Sequence, residues 1–331
     1  MNFQSSEADS RPVYSVVLPV YNESEVIKVC IERLVAVMEY LGDPFELIFV
    51  DDGSRDESLS ILAAHCERDK RIKAISFSRN FGHQAALFAG LEYARGQAVI
   101  SMDADLQHPP ELIPQMVQLW REGHDVVYTI KQAAESFSPV RRFAMTCGYS
   151  IIRYLTGLEI SFGQSDFRLL DRAVVDVIRR MPERRKFLRG LVSWVGFRQT
   201  AIPYEPAERY AGTAKYSYRK LFRLAFDGIF SFSVMPLRAT LVIGFLAASL
   251  ALLYGIFSFL VVAMDWNVLH FPAAPPGWLS TMMVVLFLGG VQLVAIGLIG
   301  EYLGRVYEEV QNRPVYIVRR RIGFDEKDSP K

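Results

Sequence analysis

The sequence predicts an α/β domain built on a mostly parallel sheet, followed by two helices that cross a membrane. Two observations carry this prediction. Short apolar runs alternate with longer amphipathic segments in the first part of the chain. Nearer the C-terminus, residues 240–264 and 278–300 contain no charged side chain. With 51% hydrophobic residues among 331, the chain is also at the upper limit for a soluble protein.

The alternating segments give the order of the elements. Runs rich in Val, Ile and Phe favour strands, and segments with apolar residues every three or four positions favour helices. The predicted strands are 14–19, 45–50, 72–77, 98–102 and 125–130, and the predicted helices are 23–41, 57–68, 83–94 and 109–122. Because strand, helix and strand follow in series, we expect a doubly wound, Rossmann-like sheet that binds ligands at the carboxyl ends of its strands.

The two uncharged stretches are long enough, at about 1.5 Å per residue, to cross a hydrocarbon core of about 30 Å. A pair of buried core helices is the alternative, but uninterrupted apolar runs of this length are rare in soluble domains. Lys and Arg flank the pair of stretches and are absent from 265–277 between them. The positive-inside rule therefore places both chain ends in the cytoplasm.

These features divide the chain into five parts. A disordered N-terminus (1–12) precedes the α/β domain (13–215), and the two spans with their short extracytoplasmic loop occupy 236–304. Residues 216–235 interleave aromatic residues with Arg and Lys, which favours helices lying among membrane lipid headgroups over a core helix of the domain. Residues 305–331 form a cytoplasmic tail.

Charge and cysteine content exclude several classes of protein. The net charge of +1 gives no basic surface of the kind that binds nucleic acid. The three cysteines are widely spaced and the five histidines form no metal-binding pair, so neither a disulfide framework nor a zinc site is expected. The N-terminus lacks the apolar core of a signal peptide. A reducing, cytoplasmic setting fits these features.

Two carboxylates follow the fourth predicted strand. Asp103 and Asp105 are one residue apart, and Gln107 stands two positions further on. On an extended segment these three side chains share one face and can converge on a single cation. Their oxygen atoms suit Mg²⁺ or Mn²⁺, with substrate phosphates completing the coordination shell. A solvated loop or a helix cap is the alternative for an isolated Asp-X-Asp sequence.

Polar residues also follow the other predicted strands. Asp51 could accept hydrogen bonds from a base or ribose, Gly53 would allow a tight turn, and Arg79 could face a diphosphate. Ordinary turn chemistry is the alternative for each residue taken singly. The absence of a Gly-X-Gly-X-X-Gly or Walker A sequence argues against a dinucleotide oxidoreductase and a P-loop ATPase. The candidate donor-binding residues are Pro19, Tyr21, Glu23, Asp51, Asp52, Arg79, Asp103 and Lys131.

A family resemblance rests on Val-Leu-Pro-Val-Tyr-Asn-Glu at 17–23, Val-Asp-Asp-Gly-Ser at 50–54, Ser-Arg-Asn-Phe-Gly-His-Gln at 78–84 and Asp-Ala-Asp-Leu-Gln-His-Pro-Pro at 103–110. The chain resembles family-2 glycosyltransferases of the GT-A fold, and most of all the polyprenyl-phosphate glycosyltransferases. That subgroup includes bactoprenol glucosyltransferases and dolichol-phosphate mannose synthase. Motifs at 165–169, 181–184, 209–216 and 298–305 extend the resemblance over nearly the whole chain.

The resemblance implies roles for individual residues. It places Asp51 and Asp52 near the nucleotide. It implies that Asp103, Asp105 and Gln107 bind the divalent metal and the donor diphosphate. It also implies that Arg168, Arg209 and Lys215 bind a phosphate group of the donor or the acceptor. The residues expected to act in catalysis are Asp105, Asp166 and Arg168.

Two questions about these roles stay open in the sequence. Asp166 is either a base or acceptor-orienting residue, or it holds Arg168 and the backbone. A base is optional, because a lipid phosphate with a second pKa of about 6 is mostly dianionic at neutral pH. The chain also departs from the family pattern at Ser165, where Gly is frequent, and at 212–215, which reads Gly-Thr-Ala-Lys in place of Gly-Glu-Ser-Lys.

The resemblance implies a metal-dependent, inverting transferase that moves a hexose from a nucleotide sugar to undecaprenyl phosphate. The reaction would occur at the cytoplasmic face of the bacterial inner membrane and supply cell-envelope glycans such as lipopolysaccharide. UDP-glucose is the first choice of donor, because residues 181–196 resemble bactoprenol glucosyltransferases. The alternatives are another sugar (mannose, N-acetylglucosamine or a modified arabinose) and a non-catalytic, membrane-anchored sensor or scaffold. A homo-oligomer formed through an edge strand at 315–318 is a further expectation.

Overall fold

The computed structural model describes residues 11–131, 163–184, 186–205, 233–263 and 277–325. Met1–Leu224 together with Arg313–Lys331 form one compact unit, and Ala225–Asn312 form a second. Several predicted features lie outside the described residues: most of the N-terminus, Arg209, Lys215, nearly all of the juxtamembrane segment and the loop between the two spans.

The first unit alternates strands and helices along the chain. Its strands are β1 (Tyr14–Val20), β2 (Phe45–Asp51), β3 (Ile72–Phe77), β4 (Ala98–Ser101), β5 (Val126–Lys131), β6 (Gln164–Asp171), β7 (Gln199–Tyr204) and β8 (Val318–Ile322). Its helices are α1 (Ile27–Leu41), α2 (Ser58–Arg68), α3 (His83–Tyr93), α4 (Ile113–Arg121), α5 (Arg172–Arg180) and α6 (Leu188–Trp194).

The described strands form one sheet in the order β7-β5-β6-β4-β1-β2-β3-β8. β1 pairs in parallel with β2 and β4, β2 pairs in parallel with β3, and β5 pairs in parallel with β7. β6 lies antiparallel between β4 and β5, and β8 pairs antiparallel with β3. The predicted mostly parallel sheet is confirmed. The carboxyl ends of β1 to β4 meet at one edge, and β6 begins at that same edge because it runs the other way.

The central strands are buried on both faces. Every residue of β1, β2 and β4 is buried, which accounts for their nearly continuous apolar sequences. Helix α1 contributes Ile27, Leu34 and Met38 to the core from one face, at helical spacing. The sheet is therefore a rigid support for the polar residues that follow its strands.

The five predicted strands agree with β1 to β5 to within one residue at each end. Helix α1 begins at Ile27, later than the predicted 23, because the amides of Glu23 and Ser24 donate to the side chains of Ser58 and Asp56. A short 3₁₀ turn at Pro110–Leu112 occupies the predicted start of α4. Strands β6 and β7 were not predicted, because polar residues interrupt the apolar pattern that indicates a strand.

The second unit contains α7 (Met235–Ala263) and α8 (Trp278–Val310). Both are long and apolar enough to cross a membrane, by length and composition, with mean hydropathy of 1.9 and 2.4 over their spanning segments. Large apolar side chains along both helices are exposed, among them Leu241, Phe245 and Leu293. Helix α7 covers the first predicted span up to residue 263, the last described residue there, and α8 covers the second and continues past Gly300 to Val310.

After α8 the chain returns to the sheet of the first unit. The Ser78 amide donates to the carbonyl of Ile317 at 2.9 Å, and the ring of Tyr316 stacks on Phe77 at 4.9 Å. The Tyr316 hydroxyl donates to the Glu92 carboxylate on α3. Thus β8 pairs with β3 of the same chain and begins at residue 318, later than the predicted edge strand at 315–318. A homo-oligomer remains a prediction.

Candidate functional site

A cavity of about 300 Å³ opens at the carboxyl edge of the sheet. Residues that follow four neighbouring strands line it, as the parallel arrangement predicts. The lining residues are Pro19, Val20, Tyr21, Glu23, Asp52, Asn80, Gly82, His83, Asp103, Ala104 and Asp105. Six of the predicted site residues are therefore brought together: Pro19, Tyr21, Glu23, Asp52, Asp103 and Asp105.

Asp103 and Asp105 reach the cavity through a turn. Strand β4 ends at Ser101, and Leu106 has a left-handed backbone with φ of 59°, so the segment is not extended as the sequence argument assumed. The Gln107 amide donates to Asp105 Oδ1 at 3.1 Å. Gln107 itself is not among the lining residues. The two carboxylates share the cavity because of the turn, and the role of Gln107 as a third ligand remains a prediction.

The two carboxylates fit a divalent cation that takes its remaining ligands from substrate and water. Asp103 Oδ1 is buried and has no hydrogen-bond partner among the described residues, which is the state expected of a metal-ligating oxygen. Within the described parts of the chain, no group of three or more His, Cys, Asp or Glu side chains is placed to hold a metal alone. Mg²⁺ sites commonly use one or two carboxylates with substrate phosphates, and this pair suits that pattern.

The two carboxylates after β2 are engaged with the protein's own backbone and hydroxyl groups. Asp51 is buried, and its oxygens accept from the Ser54 amide at 3.0 Å and the Ser76 hydroxyl at 2.8 Å. Asp52 accepts from the amides of Phe81 and Gly82 at 2.6 and 2.9 Å. Burial raises the pKa of Asp52, although the two amides oppose this. Asp52 therefore fixes the β3–α3 loop that forms one wall of the cavity.

Gly53 makes this loop arrangement sterically feasible. Its φ of 71° lies in the left-handed region, and a Cβ atom there would come within 2.6 Å of the carbonyl carbon of Arg79. Only glycine allows both the turn and the close approach. The sequence predicts the turn, and the structure adds the contact with the neighbouring loop.

Two predicted donor-binding cations do not line the cavity. The Arg79 guanidinium lies 4.1 Å from the Phe81 ring centroid and donates to the Asn80 carbonyl at 3.1 Å. Lys131 ends β5, where its amide donates to Gly163 at 2.9 Å. Their roles in binding the donor remain predictions.

A cluster of charged side chains surrounds Asp166 at the start of β6. Arg189 on α6 binds this carboxylate with two hydrogen bonds of 2.9 and 2.8 Å, and Arg168 donates a third at 3.0 Å. The Asp166 side chain is only 7% exposed. Burial alone would raise the pKa of Asp166, but Arg189, His83 and Arg168 together hold it well below the usual value.

Arg168 is buried deeply behind this carboxylate. Its Nη2 atom donates to Asp166 and to the Ser165 carbonyl at 3.0 Å, while Nη1 has no hydrogen-bond partner among the described residues. Burial lowers the pKa of Arg168 to about 10, although Asp166 opposes this. Arg168 therefore stays charged at neutral pH.

The structure adds three residues to which the sequence analysis gave no role: Arg189, His83 and His108. His108 is buried, accepts the Asp103 amide at Nδ1 and lies 2.6 Å from the Ser165 hydroxyl through Nε2. Burial lowers its pKa, so it is a neutral, structural histidine. Both histidines stand inside the motifs that carry the family resemblance, which was the available signal. Arg189 also stands in a run, 181–196, that resembles bactoprenol glucosyltransferases, but that run gives no sign of its pairing with Asp166.

Comparisons with known proteins agree with this geometry. The model of "Glycosyl transferase family 2" matches residues 15–179, and that of "GtrB C-terminal hairpin" matches 235–306. An uncharacterized glycosyltransferase of Bacillus subtilis (strain 168) is 44% identical over 95% of this chain and 95% of its own length. The chain belongs to glycosyl transferase family 2.

Two further family-2 relatives match over a similar extent. An uncharacterized glycosyltransferase of Synechocystis sp. is 44% identical over 92% of this chain and 94% of its own length. The SfII prophage-derived bactoprenol glucosyl transferase of Shigella flexneri is 40% identical over 92% of this chain and 97% of its own length. The protein is therefore a glycosyltransferase with a GT-A catalytic domain, as the motifs predicted.

Proposed function

We propose that this family-2 enzyme transfers glucose from UDP-glucose to undecaprenyl phosphate, or a related polyprenyl phosphate, with inversion at the anomeric carbon. The observation that carries the proposal is the 40% identity to a bactoprenol glucosyl transferase over 92% of this chain and 97% of that protein. Both the catalytic part and the helical hairpin match family models separately, which supports the same combination of functions here.

The charge of the cavity supports a metal-dependent donor site. Four carboxylates line it, from Glu23, Asp52, Asp103 and Asp105. A nucleotide diphosphate is itself anionic and would be repelled from such a lining unless a cation accompanied it. Asp103 and Asp105 would hold Mg²⁺ or Mn²⁺, which supplies positive charge where the diphosphate leaves.

The cluster around Asp166 supports direct attack by the acceptor. Both oxygens of Asp166 are bound by arginines, so this carboxylate is a weak base that orients Arg168 and Arg189. A lipid phosphate needs no base, because it is largely dianionic at neutral pH. One displacement by its oxygen inverts the anomeric carbon, and the carboxylate of Asp166 keeps its proton-free state throughout.

The two apolar helices support a membrane-bound acceptor. A polyprenyl chain is confined to the bilayer, so an enzyme anchored by α7 and α8 meets it at the membrane surface. Lys and Arg lie on the chain segments that flank the helices and are absent from the loop between them. This asymmetry supports a bacterial cytoplasmic-membrane location with the catalytic domain and both termini in the cytoplasm.

Transfer of radiolabelled sugar into a lipid fraction tests the proposal. The full-length protein in detergent is incubated with undecaprenyl phosphate and a panel of UDP- and GDP-sugars, with Mg²⁺, with Mn²⁺ and with chelator. We expect UDP-glucose to label the lipid, and chelator to abolish labelling. Asp105→Asn keeps the side-chain size but weakens the metal site, so we expect a loss of at least about 100-fold. The matched control is Glu67→Gln on the exposed side of α2, which should retain wild-type transfer.

Each other outcome revises a different part of the proposal. Labelling from mannose, N-acetylglucosamine or arabinose donors would retain the reaction and change the sugar. Labelling that persists with chelator and in Asp105→Asn would remove the metal dependence. If the protein binds a nucleotide sugar but labels no lipid with any donor, the proposed polyprenyl-phosphate acceptor is contradicted. A sensor or scaffold would then be favoured.

A further inference from the structure

His83 lies between two carboxylates that belong to different parts of the site. Its Nε2 atom is 3.5 Å from Asp103 Oδ1 and 3.5 Å from Asp166 Oδ2. Asp103 lines the cavity and is a proposed metal ligand, whereas Asp166 is the buried centre of the arginine cluster. The His83 side chain is 42% exposed and also lines the cavity. One imidazole therefore touches both groups.

The backbone holds this imidazole in place. Helix α3 begins at His83, directly after Gly82 with its φ of 102°. The carboxylate of Asp52 binds the amides of Phe81 and Gly82, so the two residues before His83 are anchored to β2. Because the helix start and the preceding loop are both fixed, the imidazole reaches Asp103 without a change in the backbone.

Asp103 has few other groups to orient its carboxylate. Its Oδ1 atom has no hydrogen-bond partner among the described residues. Its Oδ2 atom is 3.6 Å from His108 Nδ1, but that nitrogen accepts the Asp103 amide hydrogen at 3.1 Å and so has no proton to donate. In the part of the chain that the structure describes, His83 Nε2, 3.5 Å from Oδ1, is thus the ring nitrogen placed to direct a hydrogen toward the carboxylate of Asp103.

We propose that His83 is a positioning residue, which orients Asp103 for the divalent cation and couples it to the Asp166 cluster. The inference rests on the proposed metal-dependent function. Carboxylates that bind metals are themselves oriented by partners outside the coordination shell, and loss of such a partner typically lowers metal affinity about 10- to 100-fold. The single hydrogen on His83 Nε2 lies between Asp103 Oδ1 and Asp166 Oδ2, each 3.5 Å away, so the two carboxylates share it, and this sharing is the proposed coupling.

Binding of Mn²⁺ in the presence of UDP tests this role without measuring transfer. Free Mn²⁺ is quantified by electron paramagnetic resonance during titration of the full-length protein in detergent. His83→Ala is expected to raise the Mn²⁺ dissociation constant at least about 10-fold at an unchanged melting temperature. His83→Gln, which keeps a donor, should recover most of the affinity. The control His65→Ala alters a histidine on α2 outside the cavity lining and should match the wild type.

A second comparison tests the coupling to Asp166. If His83 acts as the link, Asp166→Asn should weaken Mn²⁺ binding, and the double variant with His83→Ala should be no weaker than His83→Ala alone. His83→Leu, which donates no hydrogen but fills the space, replaces His83→Ala if that variant does not fold.

The outcomes separate this inference from the proposed function. Wild-type Mn²⁺ affinity in folded His83→Ala or His83→Leu overturns the role of His83 and leaves the metal site intact. A wild-type protein that binds no Mn²⁺ with UDP overturns the metal dependence, and the role of His83 with it. Affinity lost equally in His83→Gln and His83→Ala also overturns the inference, because a donor at this position would then be irrelevant.

Discussion

Asp166 stays ionised in the fold although it is buried, because Arg189 and Arg168 donate three hydrogen bonds to its carboxylate. Its folded pKa is well below the usual value. A carboxyl group whose pKa falls on folding stabilises the native state above its unfolded pKa of about 3.9. That stabilisation disappears only as the pH falls from there toward the folded pKa.

The lowered pKa of Asp166 determines how the stability of the Asp166→Asn variant depends on pH. Removing the carboxylate of a buried ion pair takes away the negative charge that compensates the two arginines, at a cost of about 3–5 kcal/mol. We expect the variant to melt well below the wild type, by a difference that is constant from about pH 8 to pH 5 and narrows below about pH 4. Differential scanning fluorimetry of both proteins across this range provides the measurement. A difference that shrinks near neutral pH would show that Asp166 takes up a proton there, as a general base does.

At the same scale, the sequence could place residues at the site but could not say what their side chains contact. Asp51 ends β2 and Asp52 follows it, yet both bind groups of their own domain, since β3 brings the Ser76 hydroxyl and the β3–α3 loop brings two amides within reach. Arg189 was out of reach of sequence reasoning, because its partner Asp166 stands on a distant strand. Such pairings depend on tertiary packing, which spacing along the chain does not report.

At the scale of elements, β8 and the residues just before it support one wall of the cavity. β8 pairs with β3, and the carbonyl of Ile317, which precedes β8, accepts the amide of Ser78, the residue that begins the β3–α3 loop. Tyr316 adds a ring stack on Phe77 and a hydrogen bond to Glu92 on α3. Burial raises the pKa of Tyr316, with the nearby Glu92 carboxylate acting in the same direction, so its hydroxyl remains a donor.

Substitutions at Tyr316 separate the two contributions of this contact. Tyr316→Phe removes the hydroxyl donor and should cost about 1–3 kcal/mol, because the acceptor is a carboxylate. Tyr316→Ala also removes the stacked ring and should cost about 3–5 kcal/mol in total. Melting temperature and UDP affinity of the full-length protein are measured together. Tyr40→Ala, at a tyrosine that is 83% exposed on α1, is the control and should change neither. Equal effects of the Phe and Ala variants would contradict a contribution from the ring.

The elements also show where sequence reasoning was sufficient. β1 to β5 were predicted because buried parallel strands are continuous apolar runs. β6 was missed because Gln164, Asp166 and Arg168 interrupt its pattern. The buried charges of Asp166 and Arg168 are tolerated because Asp166 pairs with both Arg168 and Arg189. Residues 315–318 were predicted to pair between two copies of the chain, whereas β8 pairs with β3 of the same chain. A strand that is far from the others in sequence gives no sign of which sheet edge it will join.

At the scale of the whole molecule, the chain leaves the first unit before α7 and rejoins it after α8. Because β8 pairs with β3, both flanks of the hairpin connect to one folded domain, and we predict that α7 and α8 cross a membrane with both flanks on its cytoplasmic side. Green fluorescent protein fused after Lys331 should therefore fluoresce. Alkaline phosphatase fused at the same position should be inactive. An alkaline phosphatase inserted between residues 264 and 277 should be active. The opposite pattern at either position would contradict the hairpin topology.

The return of β8 to the sheet also imposes an order on synthesis. The ribosome makes β3 early, but the strand that covers its free edge emerges only after both apolar helices have been translated. Until then the nascent domain carries an unpaired strand edge beside the unfinished cavity. Completion of the sheet therefore follows translation of both apolar helices, so a copy that has not yet produced them cannot assemble all eight described strands.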